Sequence, residues 1–158
     1  SKSPDCSSCP MQGFCVAYAT NSVGGLPLKS KKIKVKARFL HYLMINQEDN
    51  IFLGKRKSGI WNGLYEFPFL EFPIKMNEKQ VMQSDEWSKV FLNYKCDVKS
   101  VSREFIHILS HQKIHAQFWQ INTIGVVLKE YELISKNNLF EFPISRLTEK
   151  YFETIELI

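Results

Sequence analysis

Long apolar runs are missing from this 158-residue chain. Nothing in it approaches the ~18–20 consecutive apolar residues that a membrane-spanning helix needs, and no apolar amino-terminal region reads as a secretion signal. These absences predict a soluble protein of the cytoplasm with no membrane partner. Low-complexity segments are absent too, and the tripeptide Glu-Phe-Pro, at 66–68, 71–73 and 141–143, recurs without a fixed period and makes no repeat. What is there is ordinary for a globular protein: 44% hydrophobic, 23% charged and 13% aromatic residues, which excludes wholesale disorder and fibrous architecture. The length suits one packed domain with an appendage. The first residue is Ser1 rather than Met, as expected of a processed chain or a piece of a longer one.

The net charge of +5 is unevenly placed. Lys29, Lys31, Lys32, Lys34, Lys36 and Arg38 fall within ten residues without an acid between them, and removing these six charges leaves −1 for the rest. A stripe of this kind suits either a phosphate backbone or a solvated strand face. A second basic cluster, Lys55, Arg56 and Lys57, lies in a loop ending at Gly59.

Residues 1–30 differ from the remainder, holding three of the six prolines and three of the seven glycines but few periodic apolar positions. They also hold three of the four cysteines, as Cys6-x2-Cys9-x5-Cys15. Thiolates this close can converge on a metal centre, but a tetrahedral zinc or a cubane cluster needs four ligands and only three are here. A redox Cys-x-x-Cys and three free thiols are the other readings. Cys96 stands alone and reads as an inert, buried thiol.

From Lys32 onward the pattern alternates. Ile33, Val35, Ala37 and Phe39 share one strand face, opposite Lys32, Lys34, Lys36 and Arg38. The strand continues to Ile45, turns through 46–50 and returns at 51–53. Ser84 can cap a helix whose inward stripe is Trp87, Val90, Phe91 and Tyr94, with Asp85 and Glu86 at its positive end. Residues 97–108 and 114–124 are rich in Val, Ile, Phe and Trp and read as a hairpin with its tip at 110–113. Ser135 caps a short helix, and Ser145 a last one that buries Leu147, Tyr151, Phe152 and Ile155. Strands, then a helix, then strands and short helices predict an α/β (α+β) fold with a mixed sheet flanked by helices.

Two constellations in the second half invite catalytic readings. His107, His111 and His115 are four apart; in a hairpin centred on His111 the outer two become cross-strand neighbours, enough for a weak zinc site at most. Ser110 beside His111 has no third partner and, as an adjacent residue in a turn, makes no hydrolytic triad.

Gly59-Ile60-Trp61-Asn62-Gly63-Leu64-Tyr65-Glu66-Phe67-Pro68 resembles the segment that leads into the metal-binding helix of Nudix hydrolases. The carboxylate array that such chemistry requires is missing from the helix at Asp85–Phe91. The features together resemble the carboxy-terminal part of the MutY adenine DNA glycosylases. Cys6, Cys9 and Cys15 are similar to the last three ligands of that family's cluster motif, the first lying upstream of Ser1. Leu26-Pro27-x-Lys29-x-Lys31-Lys32 looks like its linker, and Leu109-Ser110-His111 resembles the Phe-Ser-His tip with which the family contacts 8-oxoguanine.

The resemblance implies three parts: a truncated iron–sulfur loop at 1–15, a connector at 16–30, and a Nudix-like 8-oxoguanine-recognition domain at 31–158. It further implies a parent that excises adenine paired with 8-oxoguanine and carries its catalytic carboxylates and a helix-hairpin-helix in an amino-terminal domain. The present chain would then be catalytically inactive, its 4Fe-4S cluster absent or incomplete. Its partners would be duplex DNA with an A·8-oxoguanine pair, the missing catalytic domain, and a clamp-type protein at the connector; in a bacterium it would be nucleoid-associated. Lys29 to Arg38 and Lys55 to Lys57 become candidate phosphate contacts. The alternatives are a Nudix pyrophosphohydrolase of oxidised nucleotides and a protein-interaction module.

Overall fold

The computed structural model describes residues 4–28 and 35–155, which fall in two compact units, residues 1–34 and 35–158. Described residues of the first unit form a 3-10 turn at Gln12–Phe14, a one-turn helix α1 (Val16–Ala19) and a second 3-10 turn at Val23–Gly25, none of which buries a residue. Lys29, Lys31, Lys32 and Lys34, with the start of the alternating segment, lie outside the described residues.

The second unit is built on an open mixed sheet of eight strands. In chain order these are β1 (Lys36–Gln47), β2 (Asn50–Lys55), β3 (Tyr65–Glu66), β4 (Phe69–Phe72), β5 (Cys96–Val101), β6 (Phe105–Ile108), β7 (Gln112–Thr123) and β8 (Glu132–Ser135). Helices α2 (Glu78–Met82) and α3 (Asp85–Phe91) follow β4, and a 3-10 helix at Lys136–Glu141 precedes α4 (Arg146–Thr154). This is the mixed sheet flanked by helices that the sequence predicts.

At the centre β1 runs parallel to β7 through every pair from Lys36–Gln112 to Asn46–Asn122. Leu40 to Ile45 are buried without interruption, as a strand covered on both faces must be. Alternate residues serve two cores. On one face Leu40, Tyr42 and Met44 join Ile114, Ala116 and Phe118 beneath Tyr151 and Phe152 of α4. There Tyr42, Phe118 and Tyr151 stack in series, with centroids 5.1 and 4.1 Å apart. On the other face Leu43, Ile45, Trp119 and Ile121 meet Val81 of α2 and Trp87 and Phe91 of α3.

The predicted helix starts are where the structure caps them. Ser84 Oγ accepts from Trp87 N at 3.1 Å and Ser145 Oγ from Thr148 N at 3.2 Å, while Ser135 Oγ accepts from Asn137 N at 3.4 Å. Helix α2 was not foreseen, although Asn77 and Gln80 form a reciprocal capping box, each side chain accepting from the other's backbone amide.

Two readings gain detail. The face shared by Val35 and Ala37 is exposed at this end of β1, and Arg38 opposite them is half-buried. The helices of that face pack farther along the strands, over Leu43, Ile45 and Trp119, and leave this end uncovered. The stretch 97–108 is not one strand. It breaks at 102–104, where Ser102 Oγ accepts from Phe118 N at 2.9 Å, and both halves, β5 and β6, pair with β7.

One buried polar group sits in the central run. His41, 3% exposed, accepts the indole N–H of Trp119 at Nδ1 over 3.1 Å. Burial holds its pKa down, from 6.5 to about 4. The neutral ring is therefore the folded form, and its stabilisation is complete above pH 6.5 and is lost as pH falls toward 4, where the unfolded chain binds a proton that the folded chain refuses. Chemical denaturation from pH 7 down to about 4 should show this loss, and His41→Gln, which keeps an acceptor for the indole but cannot titrate, should flatten the slope. Identical slopes would assign the loss to other groups.

Candidate nucleic-acid interface

The β6–β7 hairpin closes through two residues. Leu109 N donates to Gln112 O at 2.8 Å, leaving Ser110 and His111 at the tip, both exposed, with Leu109 half-buried against the core. A second strand holds the same tip: Lys36 N, at the start of β1, donates to His111 O at 3.0 Å. The tip is thus tied at two points to the paired ends of the central strands.

A two-residue tip shifts the register from one centred on His111. His107 lies opposite Ile114, and His115 opposite Ile106, so the two histidines point to opposite faces and are not cross-strand neighbours. His107 packs beside Trp61, with ring centroids 5.4 Å apart. His115 stacks on Phe39 at 4.9 Å, with its Nδ1 3.1 Å from Glu104 Oε2. A two-histidine zinc site is thereby excluded.

Neither arginine predicted to contact phosphate is a free charge. Arg38 engages Glu71 in a fork, Nε to Oε1 at 2.7 Å and Nη2 to Oε2 at 2.6 Å, and its Nη1 donates to Gln112 Oε1 at 3.0 Å. The hydrogen bonds to Arg38 hold the Glu71 carboxyl below its ordinary range, and those to Glu71 raise Arg38. Gln112 is the residue whose carbonyl closes the tip, so this pair braces the hairpin from below. Arg56 donates from Nε to Glu66 Oε1 at 2.8 Å, with side chains 10% and 12% exposed. Burial raises the Glu66 pKa despite this partner. The Arg56 guanidinium also lies over Trp61 and Phe69, at 5.9 and 5.1 Å. Lys36, Lys55 and Lys57 are exposed, with Lys55 Nζ 5.9 Å from the Tyr65 ring centroid.

Between Arg56 and Leu64 the chain folds back on itself. Arg56 N donates to Leu64 O and Gly63 N to Arg56 O, each at 2.9 Å, while Gly59, Trp61 and Gly63 take φ of 74°, 63° and 85°. Glycine occupies such angles freely, but tryptophan does so only under constraint. The 5.4 Å contact with His107 places this loop against the hairpin that ends in Ser110 and His111. Sequence reasoning overlooked Trp61 as a site residue; the glycines on either side were the visible signal.

Cys6, Cys9 and Cys15 are free thiols that line one hollow of about 570 Å³ with Pro4, Leu26 and Pro27. No three His, Cys, Asp or Glu side chains converge as metal ligands among the described residues, so as arranged the thiols do not fit a cluster. The same holds for carboxylates: Asp85 and Glu86 are exposed in the first turn of α3 and gather no third acid. Burial raises the Cys96 thiol, which is half-buried as the second core's edge. No helix among the described residues is long and apolar enough to cross a membrane.

A family model described as the NUDIX domain matches residues 41–154. An adenine DNA glycosylase of Buchnera aphidicola subsp. Schizaphis graminum (strain Sg) is 28% identical over 116 residues, 72% of this chain and 31% of that protein. Its counterpart in Buchnera aphidicola subsp. Acyrthosiphon pisum (strain APS) is 27% identical over 109 residues, covering 68% and 30%. The chain spans about a third of the length of these relatives. The C-terminal domain of mouse MUTYH, solved in complex with human PCNA, superposes with a TM-score of 0.58 at 17% identity, over 75% of this chain and 87% of that one. A MutT protein from Methanosarcina mazei Go1 gives 0.57 at 15% identity, over 80% and 96%. Both likenesses establish the fold.

The brace beneath the tip makes a direct prediction. Arg38→Met should leave Gln112 unheld, so that the Leu109 and Lys36 amides exchange with solvent about ten-fold faster while amides of the central β1–β7 ladder are unchanged. Unaltered exchange at Leu109 and Lys36 would show that the two backbone hydrogen bonds hold the tip unaided.

Proposed function

On the premise that the chain belongs to the NUDIX domain family, we propose that it is the lesion-recognising part of an adenine DNA glycosylase, reading 8-oxoguanine paired with adenine in duplex DNA. Its relatives and its fold support a MutY-like repair role. The observation that carries the finer reading is the exposed Ser110–His111 tip, held from two sides by Leu109–Gln112 and Lys36–His111.

The chemistry of the lesion fits such a tip. Guanine presents acceptors at N7 and O6 in the major groove. Oxidation at C8 places a hydrogen on N7 and a carbonyl at position 8, turning one acceptor into a donor. A reader must accept at N7, donate to the new oxygen, or do both. The Ser110 hydroxyl does either, and the backbone amides of the turn donate. Because a hydroxyl also rotates to donate to unmodified N7, the backbone fixed by the two strands supplies the remaining discrimination. His111 faces solvent beside it and can meet a phosphate or a base edge. Leu109 is half-buried and acts on the tip's position more than on the base.

In this reading Lys36, Lys55 and Lys57, with Lys29, Lys31, Lys32 and Lys34, meet phosphates and supply affinity without sequence information. The chain by itself recognises without excising adenine. A clamp-type protein is its partner through residues 16–30. Cys6, Cys9 and Cys15 serve an iron–sulfur cluster only if a fourth thiolate joins and draws them together. A pyrophosphohydrolase would need carboxylates gathered around magnesium, and the exposed Asp85 and Glu86 do not provide them.

Fluorescence anisotropy at one fixed low salt, with duplexes differing only in A·8-oxoguanine against A·guanine, tests the reading. The chain should bind the lesion duplex more tightly, and Ser110→Ala should reduce that preference by about 1–3 kcal/mol, roughly 5- to 150-fold, with the larger loss on the lesion duplex. Equal binding of both duplexes by the unaltered chain would sink the proposal.

A further inference from the structure

We infer that Trp61 is a second recognition surface beside the hairpin tip, a stacking platform for an unpaired or partly unstacked base of the bound duplex. The inference rests on the DNA-binding reading above and extends it to a residue on a different loop.

The chain contains three tryptophans. Trp87 and Trp119 are core residues, 6% and 0% exposed, packed on one another with centroids 5.3 Å apart. Trp61 alone is half-buried, at the edge of the other core. Its backbone lies in the left-handed region at φ 63°, an unfavourable angle for a bulky side chain, and one that persists only where surrounding structure enforces it. The enforcement is visible. Gly59 and Gly63 turn the chain on either side, Leu64 N donates to Trp61 O at 3.0 Å, and Gly63 N ties the loop to Arg56 O. Covering the edge of a core needs only an apolar side chain in relaxed backbone. A strained indole set at the apex of a glycine-flanked turn is a placed side chain.

Its neighbours define what it can meet. His107 lies 5.4 Å away, two residues before Leu109 on the strand that leads into the Ser110–His111 tip. The Arg56 guanidinium, 5.9 Å from the indole, is already held by Glu66, so it fixes the ring rather than offering a free charge. Lys57 is exposed on the same loop and Lys55 ends β2, while burial and then the charge of Lys150 lower the His107 pKa. A half-exposed indole beside the strand that leads into a hydrogen-bonding tip suits a flat, uncharged base. Stacking of this kind tolerates any base, because every base has a π-face.

Two measurements on the full chain decide it. Acrylamide quenching reads the accessible tryptophan without any substitution: Trp61 supplies the quenchable emission, and saturating A·8-oxoguanine duplex should protect it. In anisotropy, Trp61→Leu should weaken binding of that duplex by about ten-fold while Trp61→Phe, which keeps a ring, should restore most of it, with the melting temperature of both close to the original. Protection together with rescue by Phe supports the platform. Unchanged quenching, or equal losses in Leu and Phe, overturns it while leaving lesion recognition by the tip intact. Protection by both duplexes without lesion preference would instead remove the lesion-reading proposal and keep Trp61 as a DNA contact. No binding of either duplex would remove both.

Discussion

Parallel pairing of β1 with β7 is the constraint on which the rest of this domain depends. Parallel strands cannot be joined by a tight turn, so the chain between Gln47 and Gln112 has to travel from one end of the central strands to the other. That excursion holds β2 to β6, α2 and α3, and so carries one of the two helical layers and five of the eight strands. It also fixes where the chain must re-enter. Strand β7 starts beside the start of β1, and the last turn before it is therefore delivered to the amino-terminal ends of both central strands. The Ser110–His111 tip is that turn. Its position is a consequence of the ladder, and the Lys36–His111 hydrogen bond is the ladder's first rung extended by one residue.

In the proposed reading, the same excursion lets the scaffold present a recognition tip while its nearby acids serve other contacts. A metal-assisted hydrolase of this architecture needs several carboxylates aimed at one point. Here the nearby acids are otherwise engaged: Glu66 is buried against Arg56, Glu71 is locked to Arg38, and Asp85 and Glu86 face solvent where the α3 dipole favours them. A buried pair such as Arg56–Glu66 adds little net stability, since desolvation offsets much of the attraction, but it fixes geometry. What it fixes is the loop that carries Trp61. Glu66 and Glu71, through Arg56 and Arg38, thus position the surface at and beside the tip.

Much of this was legible from local sequence because its signals are local. Ser84 and Ser145 cap helices by hydrogen bonds to amides three residues on, and the apolar stripe of α3 repeats at the helical period, so Trp87 and Phe91 were recognisable as inward. The strand read at 114–124 and a tip at 110–113 were visible as an apolar, β-rich segment beside polar residues, and the structure starts that strand two residues earlier. What was not legible depends on partners far away in sequence. Nothing near Arg38 indicates that Glu71 would neutralise it, and an alternating basic stripe reads as solvated until that pairing is known. Register was missed by one residue because a tip centred on His111 and a two-residue tip at 110–111 look alike in sequence yet send His115 to opposite faces. Helix α2 was overlooked for a different reason: at five residues it has no period to detect, and only the Asn77–Gln80 spacing betrays it.

The division of labour between the two basic side chains bears on the recognition proposed above. The sequence holds four arginines, and each has an internal partner: Arg38 with Glu71, Arg56 with Glu66, Arg103 over the Phe105 ring, and Arg146 with Glu149 and Glu153. Arginine is the side chain whose planar fork reads guanine directly, by two hydrogen bonds to O6 and N7. With Arg38 and Arg56 engaged by Glu71 and Glu66, the cations that these segments leave exposed are lysines, hydrated point charges. Lysines contribute affinity that salt screens and that is blind to sequence. An arginine at the tip would also be the wrong instrument, since its donors favour the N7 acceptor of undamaged guanine that the lesion has lost. A small hydroxyl on a braced turn, able to accept where guanine's N7 has gained a hydrogen, suits the altered base better than the strongest reader of the normal one.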